Sequence, residues 1–163
     1  MNADGNGTRG ERKSGGGNGA IRITGRVAQP LLLEMEDLRS MNMEELTDLP
    51  VICGSGTPKG RIRSCRGVLL EDVIRKAEVI KEEHNDTKKM LIIASARDGF
   101  KVVFSWQEVF NTPIGGGVMI LVERDGESLV DEAGRLELIS AEDYFTGSRY
   151  VKGLSTIEVV LVP

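Results

Sequence analysis

From Ile21 onward the chain alternates short apolar runs with turn residues, and the period of each run indicates an element. Ile21, Ile23 and, across Gly25, Val27 alternate as a strand does, and Pro30 closes it. Glu36 and Asp37 stand where the macrodipole favours the first turn of a short helix, with Leu38 and Met41 one turn apart on its inward face and an end before Pro50. Val51, Ile52 and Cys53 read as a strand running into the glycine loop 54–60, and 61–66 as a strand leading out of it. Leu69, Leu70, Val73, Ile74 and Ala77 share one stripe, which predicts an amphipathic helix over 67–79. The charged segment 81–89 reads as a loop before the apolar run 90–96, a central strand. Asp98-Gly99 then turns the chain into a hairpin partner over 100–104. Ser105 and Glu108 have the spacing of a capping box, predicting a short helix through Phe110 that stops near Asn111 and Pro113. Gly115-Gly116-Gly117 reads as a flexible turn into a strand at 118–124, and Asp125-Gly126 as a further turn. Strands follow at 135–140 and 150–162, the latter with Ile157, Val159 and Leu161 on one face. Hairpins mixed with two or three short helices, in no regular β-α alternation, define an α+β fold with mixed, largely antiparallel sheets.

The first twenty residues break this pattern. Seven of the 20 glycines fall there with almost nothing to bury, which predicts a disordered Gly-rich tail over 1–20 and one ordered domain over 21–163. The tail lacks the apolar core of a secretory signal, so the chain reads as cytoplasmic as written, and periplasmic if a signal peptide has been removed. No later run reaches transmembrane length, so no membrane partner is expected. A net charge of −4 with only 4% aromatic residues argues against a nucleic-acid partner, because cations and stacking platforms are both scarce. One His and two Cys cannot supply a four-ligand zinc site from those residue types alone. His84 lies between Glu83 and Asn85 in the most polar segment and reads as a surface residue, which leaves a Ser/His/Asp triad without support.

The sharpest chemical feature is VICGSGTPKGRIRSCRG, which combines a thiol at a strand end, a glycine loop and a run of cations. Lys59, Arg61 and Arg63 are spaced by two and so share one side of an extended backbone. With loop N–H groups beside them they form a candidate site for a small anion; the competing interpretation is a solvated hairpin with a basic face. The glycine spacing matches neither a P-loop nor the dinucleotide fingerprint. Cys53 suits a nucleophile, a soft-metal ligand or a small core residue, and nearby Arg and Lys would favour its thiolate. Cys65 reads as core, although a Cys53–Cys65 bridge stays arithmetically open. Trp106 and Phe110, four apart on the short helix, read as core anchors.

Five segments in order, ITGRVAQPLLLEMEDLRSM, RGVLLEDVIRKAEV, ARDGFKVVFSWQEVFN, VERDGESL and GSRYVKGLSTIEVV, resemble the molybdopterin-binding domain of the sulfite oxidase superfamily, most of all its short stand-alone bacterial members. The resemblance spans about 21–162. It implies a fold of that type and, in catalytic members, a cysteine thiolate that ligates molybdenum beside the pterin dithiolene. Cys53 falls where that catalytic and metal-binding ligand would be expected. The family segment that helps hold the pterin and its phosphate resembles Gly147-Ser148-Arg149-Tyr150-Val151-Lys152, which implies Arg149 and Lys152 as cofactor contacts and Tyr144 as a weaker one. With Lys59, Arg61 and Arg63 these make the expected binding set for a pterin ligand or small anion in an oxidoreductase of the oxo-transfer type. Cys53-Gly54-Ser55-Gly56 departs from the family's Cys, small residue, Gly, Asn, and the family's histidine near the pterin is absent. These departures favour an alternative, a non-catalytic interaction module that keeps the fold, has lost the cofactor and uses the basic hairpin face to bind an unidentified protein or a different small anion.

Overall fold

A computed structural model of the chain describes residues 19–129 and 135–163. The expected tail lies outside the described residues, apart from Gly19 and Ala20.

Two sheets and three short helices make up the α+β fold. The first sheet orders its strands β2 (Leu31–Leu33), β1 (Ile21–Gly25), β11 (Leu154–Leu161), β5 (Met90–Ala96), β6 (Lys101–Ser105). Its β1 and β11 run parallel, with Ile23 opposite Ile157, and its other pairs are antiparallel. The second sheet is antiparallel and runs β10 (Val151–Lys152), β9 (Glu137–Ser140), β7 (Val118–Arg124), β4 (Pro58–Leu69), β3 (Glu44–Ile52), with β8 (Glu127–Ser128) on the flank of β7. Helices α1 (Met35–Arg39), α2 (Leu70–Lys76) and α3 (Trp106–Asn111) complete it.

The core follows the periodicities. Ile21 and Ile23 are fully buried, and β5 alternates buried and half-buried positions along its length. On α2, Leu70, Val73 and Ile74 are buried, with Ala77 just past its end. Strand β7 is covered on both faces: Val118, Ile120 and Val122 join the main core, while Met119 and Leu121 join a second cluster with Ile62, Cys65 and Ile139. The capping box of α3 forms as its spacing predicts, with the Glu108 N–H donating to Ser105 Oγ at 3.0 Å and the Ser105 N–H to Glu108 Oε1 at 2.9 Å. Trp106 and Phe110 stack at 4.1 Å between centroids and pack on the core.

Four expectations need correction. The helix expected to run towards Pro50 ends at Arg39, and β3 occupies 44–52; its alternation is hidden by Pro50 and by Asp48, whose φ of 60° changes the phase of the half-buried positions while the pairing register with β4 is kept across it. Gly67 does not open a helix but lies in β4, because a Cβ there would sit 2.1 Å from the Ile120 carbonyl oxygen and only glycine lets β4 and β7 approach. Gly115 to Gly117 form a packed 3-10 turn rather than a flexible one, since a Cβ on Gly115 would lie 1.8 Å from the Val109 oxygen. The final strand is two: Gly153, at φ 76°, passes the chain from β10 in one sheet to β11 in the other.

Candidate functional site

Strand β3 ends against the segment that follows β9, and that junction holds Cys53. Thr146 Oγ1 accepts the Ile52 N–H at 3.0 Å and donates to the Pro50 carbonyl at 2.7 Å, and the Gly147 N–H donates to the Ile52 carbonyl at 2.7 Å. The approach is close enough that a Cβ on Gly147 would lie 2.8 Å from that oxygen. Beyond Ile52 the chain turns tightly: the Gly56 N–H donates to the Cys53 carbonyl at 2.8 Å, Gly56 takes φ 85°, and the Cys53 N–H donates to the Thr57 carbonyl at 3.0 Å.

The turn also sets the chemistry of the thiol. Ser55 Oγ lies 2.8 Å from Cys53 Sγ and 3.1 Å from Thr57 Oγ1. Hydrogen bonds from the Ser55 hydroxyl and backbone, helped by Thr57 and opposed by partial burial, bring the Cys53 pKa down to about 7. The depression comes from these hydroxyl and amide donors and not from the Arg and Lys side chains that the sequence offers for it. Cys65 behaves oppositely: it is buried in the second cluster, and burial pushes its thiol up. Both thiols are free. Cys65 pairs with Leu46 in the β3–β4 ladder while Cys53 lies beyond its far end, a separation of roughly 20 Å that no disulfide spans.

A cleft of about 530 Å³ opens beside Cys53 and is lined in part by Lys59, Arg61, Tyr150 and Lys152. Strand β4 supplies the first two, and β10 supplies Lys152, which pairs with Glu137 in the β9–β10 ladder. Arg61 is engaged by Asp48 across the hairpin, and Arg124 on the cleft wall is held by Glu137 at 3.0 Å. Lys59 and Lys152 have no carboxylate within ion-pair distance among the described residues. Tyr150 donates to Glu137, and burial with that carboxylate beside it pushes its hydroxyl pKa far up, so it stays protonated.

Three residues of the expected set, Arg63, Arg149 and Tyr144, lie outside the cleft lining. Arg63 is exposed on β4, where its backbone N–H donates to Asp125 Oδ1 at 2.8 Å. Arg149 lines a separate depression of about 630 Å³ with Tyr144. Its guanidinium is gripped by Asp143 at 2.8 and 2.7 Å and by Glu108 at 3.0 Å, donates to the Val103 carbonyl at 3.1 Å, and stacks 4.2 Å from the centre of the Phe104 ring. It thereby ties the segment after β9 to β6 and α3. Tyr144 is 93% exposed, and His84 is exposed as its polar neighbours suggest. Ser55 and Phe100 add to the expected residues: Ser55 carries a sequence signal in its position two residues after the thiol within a glycine turn, whereas Phe100 arrives from the hairpin of the other sheet and carries none.

The Cys53 turn makes a direct prediction. Thiolate prevails above the pKa and thiol below it, so alkylation by excess iodoacetamide should rise as pH increases through about 7, with Cys65 silent until the protein unfolds. Mass spectrometry of the alkylated protein gives the profile. Ser55→Ala should move the midpoint upward, and a wild-type midpoint in the usual cysteine range would contradict the hydrogen-bonded turn.

No family model and no curated protein matches the sequence. Among solved structures, the sulfane dehydrogenase SoxCD from Paracoccus pantotrophus matches with a TM-score of 0.63 at 20% identity, over 86% of this chain and 38% of that one. The chain therefore spans well under half the length of that neighbour. The likeness establishes a distant sulfite-oxidase-like fold, in agreement with the α+β architecture above. No helix among the described residues is long and apolar enough to cross a membrane.

Proposed function

We propose that the Cys53 cleft binds a molybdopterin-type cofactor and that the chain contributes to an oxidoreductase reaction of the oxo-transfer kind. The observation that carries this reading is a thiol held near its ionisation point on the wall of a cleft that also carries Lys59 and Lys152. The donor set suits the group: a thiolate can serve as one ligand of a soft metal, and two lysines without a carboxylate partner among the described residues suit a phosphate tail. A cleft of about 530 Å³ is of the size that encloses such ligands. When bound, the cofactor supplies a redox-active metal able to exchange an oxygen atom with a small anion.

The chain's own residues would hold and orient it. Cys53 presents its sulfur from a turn fixed by Ser55 and Thr57, while Lys59 and Lys152 receive the anionic tail from two different strands. Arg61, already paired with Asp48, adds donors at the rim, and Arg63 extends the basic strand beyond it. Arg149 supports the wall by anchoring the segment whose Gly147 touches Ile52.

Expression in a host that makes molybdopterin, followed by fluorescence of the pterin released from purified protein, tests this reading. Wild type should carry pterin and melt at a higher temperature than its cofactor-free form. The double variant Lys59→Ala/Lys152→Ala should lose most of the pterin, and high salt should lower retention by wild type more than by the variant, which lacks the charges that salt screens. Pterin-free wild type from such a host would contradict the proposal.

A further inference from the structure

The Cys53 cleft is lined by two chemically different kinds of residue. Lys59 and Lys152 line it as cations, Arg61 and Arg124 are ion-paired, and Asp98 and Asp125 accept backbone N–H groups, whereas Val51, Ile62, Tyr150 and Phe100 contribute apolar and aromatic surface. Phe100 is the unusual member, because it comes from the β5–β6 connection of the first sheet while the other three lie on β3 and β4 of the second sheet or immediately before β10. It follows the Asp98-Gly99 turn between β5 and β6. That turn is closed by three hydrogen bonds: the Phe100 N–H donates to Asp98 Oδ1 at 3.0 Å, the Ala96 N–H to the Phe100 carbonyl at 2.8 Å, and the Gly99 N–H to the Ala96 carbonyl at 3.1 Å. Gly99 takes φ 93°, which a side chain would oppose. A fastened hairpin thus delivers the ring to the cleft.

The Phe100 side chain is left 45% exposed, although the burial of a phenyl ring is among the larger gains open to a residue. No other ring and no cation stacks on it among the described residues. Tyr150 is differently placed, for its hydroxyl is bound to Glu137 and Lys152 Nζ stands 5.2 Å over its ring. The aromatic face left open to a ligand in this cleft is that of Phe100.

We propose that Phe100 is the ring-holding residue of the cleft: it packs on a flat heteroaromatic ring whose anionic tail lies at Lys59 and Lys152, a placement that rests on the cofactor interpretation of the same cleft. The ligand class is a planar heterocycle carrying a phosphate or carboxylate. Stacking on an aromatic face tolerates any planar ring, and a backbone already fixed by its turn loses little freedom on binding. The lysines would attract the charged end and Phe100 would orient the ring, so the two contributions are separable by mutation.

Fluorescence anisotropy of pterin-6-carboxylate, titrated with the metal-free full chain, separates them. Wild type should bind saturably, Phe100→Ala should weaken binding by roughly tenfold or more, and Phe100→Tyr should restore it. The Phe100 variants should keep the wild-type melting temperature and Cys53 alkylation profile, which shows that the cleft is intact. Phe100→Ala binding as tightly as wild type while Lys59→Ala/Lys152→Ala binds weakly would overturn the ring-holding role and leave the cofactor interpretation standing. Failure of wild type to bind the pterin would overturn the role outright. Failure of the cofactor interpretation shows separately, as wild type from a molybdopterin-making host that holds no molybdenum.

Discussion

Phe104→Ala is expected to destabilise the protein by about 3–5 kcal/mol, among the largest single losses available in this fold. Phe104 is a fully buried side chain on β6 opposite Ile92, and its removal leaves a cavity in the main core. The ring has a second partner, because the Arg149 guanidinium stacks on it at 4.2 Å. Truncation would therefore loosen the link between β6 and the segment that supports Cys53. For a chain of this length the loss corresponds to a fall in melting temperature of roughly 10 °C or more. Phe104→Leu, which keeps most of the buried volume but no aromatic face, should cost much less. Thermal unfolding followed by circular dichroism distinguishes the two, and equal melting temperatures for Phe104→Ala and wild type would contradict the packing described.

Gly67→Ala should be as damaging for a different reason. The added Cβ would sit 2.1 Å from the Ile120 carbonyl oxygen and 2.8 Å from its carbon, so the groups that must give way belong to backbone rather than to a side chain. Neither strand can yield cheaply: β4 is paired on both edges, with β3 and β7, and β7 with β4 and β9. Overpacking of this kind costs about 3 kcal/mol or more, at the upper end of the range for such changes. The strain also acts on the ladder that positions Lys59 and Arg61. Gly116→Ala is the matched control, since nothing stands within 4 Å of a Cβ there and φ is ordinary. Denaturant unfolding should show a much lower midpoint for Gly67→Ala and a midpoint near wild type for Gly116→Ala.

What the sequence revealed follows the range of the interactions. The β1 and β5 alternations, the α2 stripe and the Ser105–Glu108 capping box are local patterns, and the structure carries all of them. Only the end of strand β3, at Val51 and Ile52, is legible, because its exposed edge needs few apolar positions and the positive φ at Asp48 shifts their phase. Gly67 and Gly153 escaped notice because each is explained only by a neighbour in another strand or another sheet. At the candidate site, Cys53 and the cations on β4 were legible from one contiguous motif, and the structure places Lys59 and Arg61 beside the thiol in one cleft. The engagement of Arg149 was not legible, because its partner Glu108 lies 41 residues away and a sequence shows a charge without showing what already neutralises it. Phe100 reaches the cleft from the opposite sheet, and no spacing rule predicts that.

The most direct test of the central claim is molybdenum content, measured by mass spectrometry on wild type and Cys53→Ser purified from a host that makes molybdopterin. Cys53→Ser should melt with wild type in the absence of metal, because the turn's backbone hydrogen bonds remain. The account predicts stoichiometric molybdenum in wild type and its loss in Cys53→Ser. Metal-free wild type, or equal molybdenum in both proteins, would contradict it.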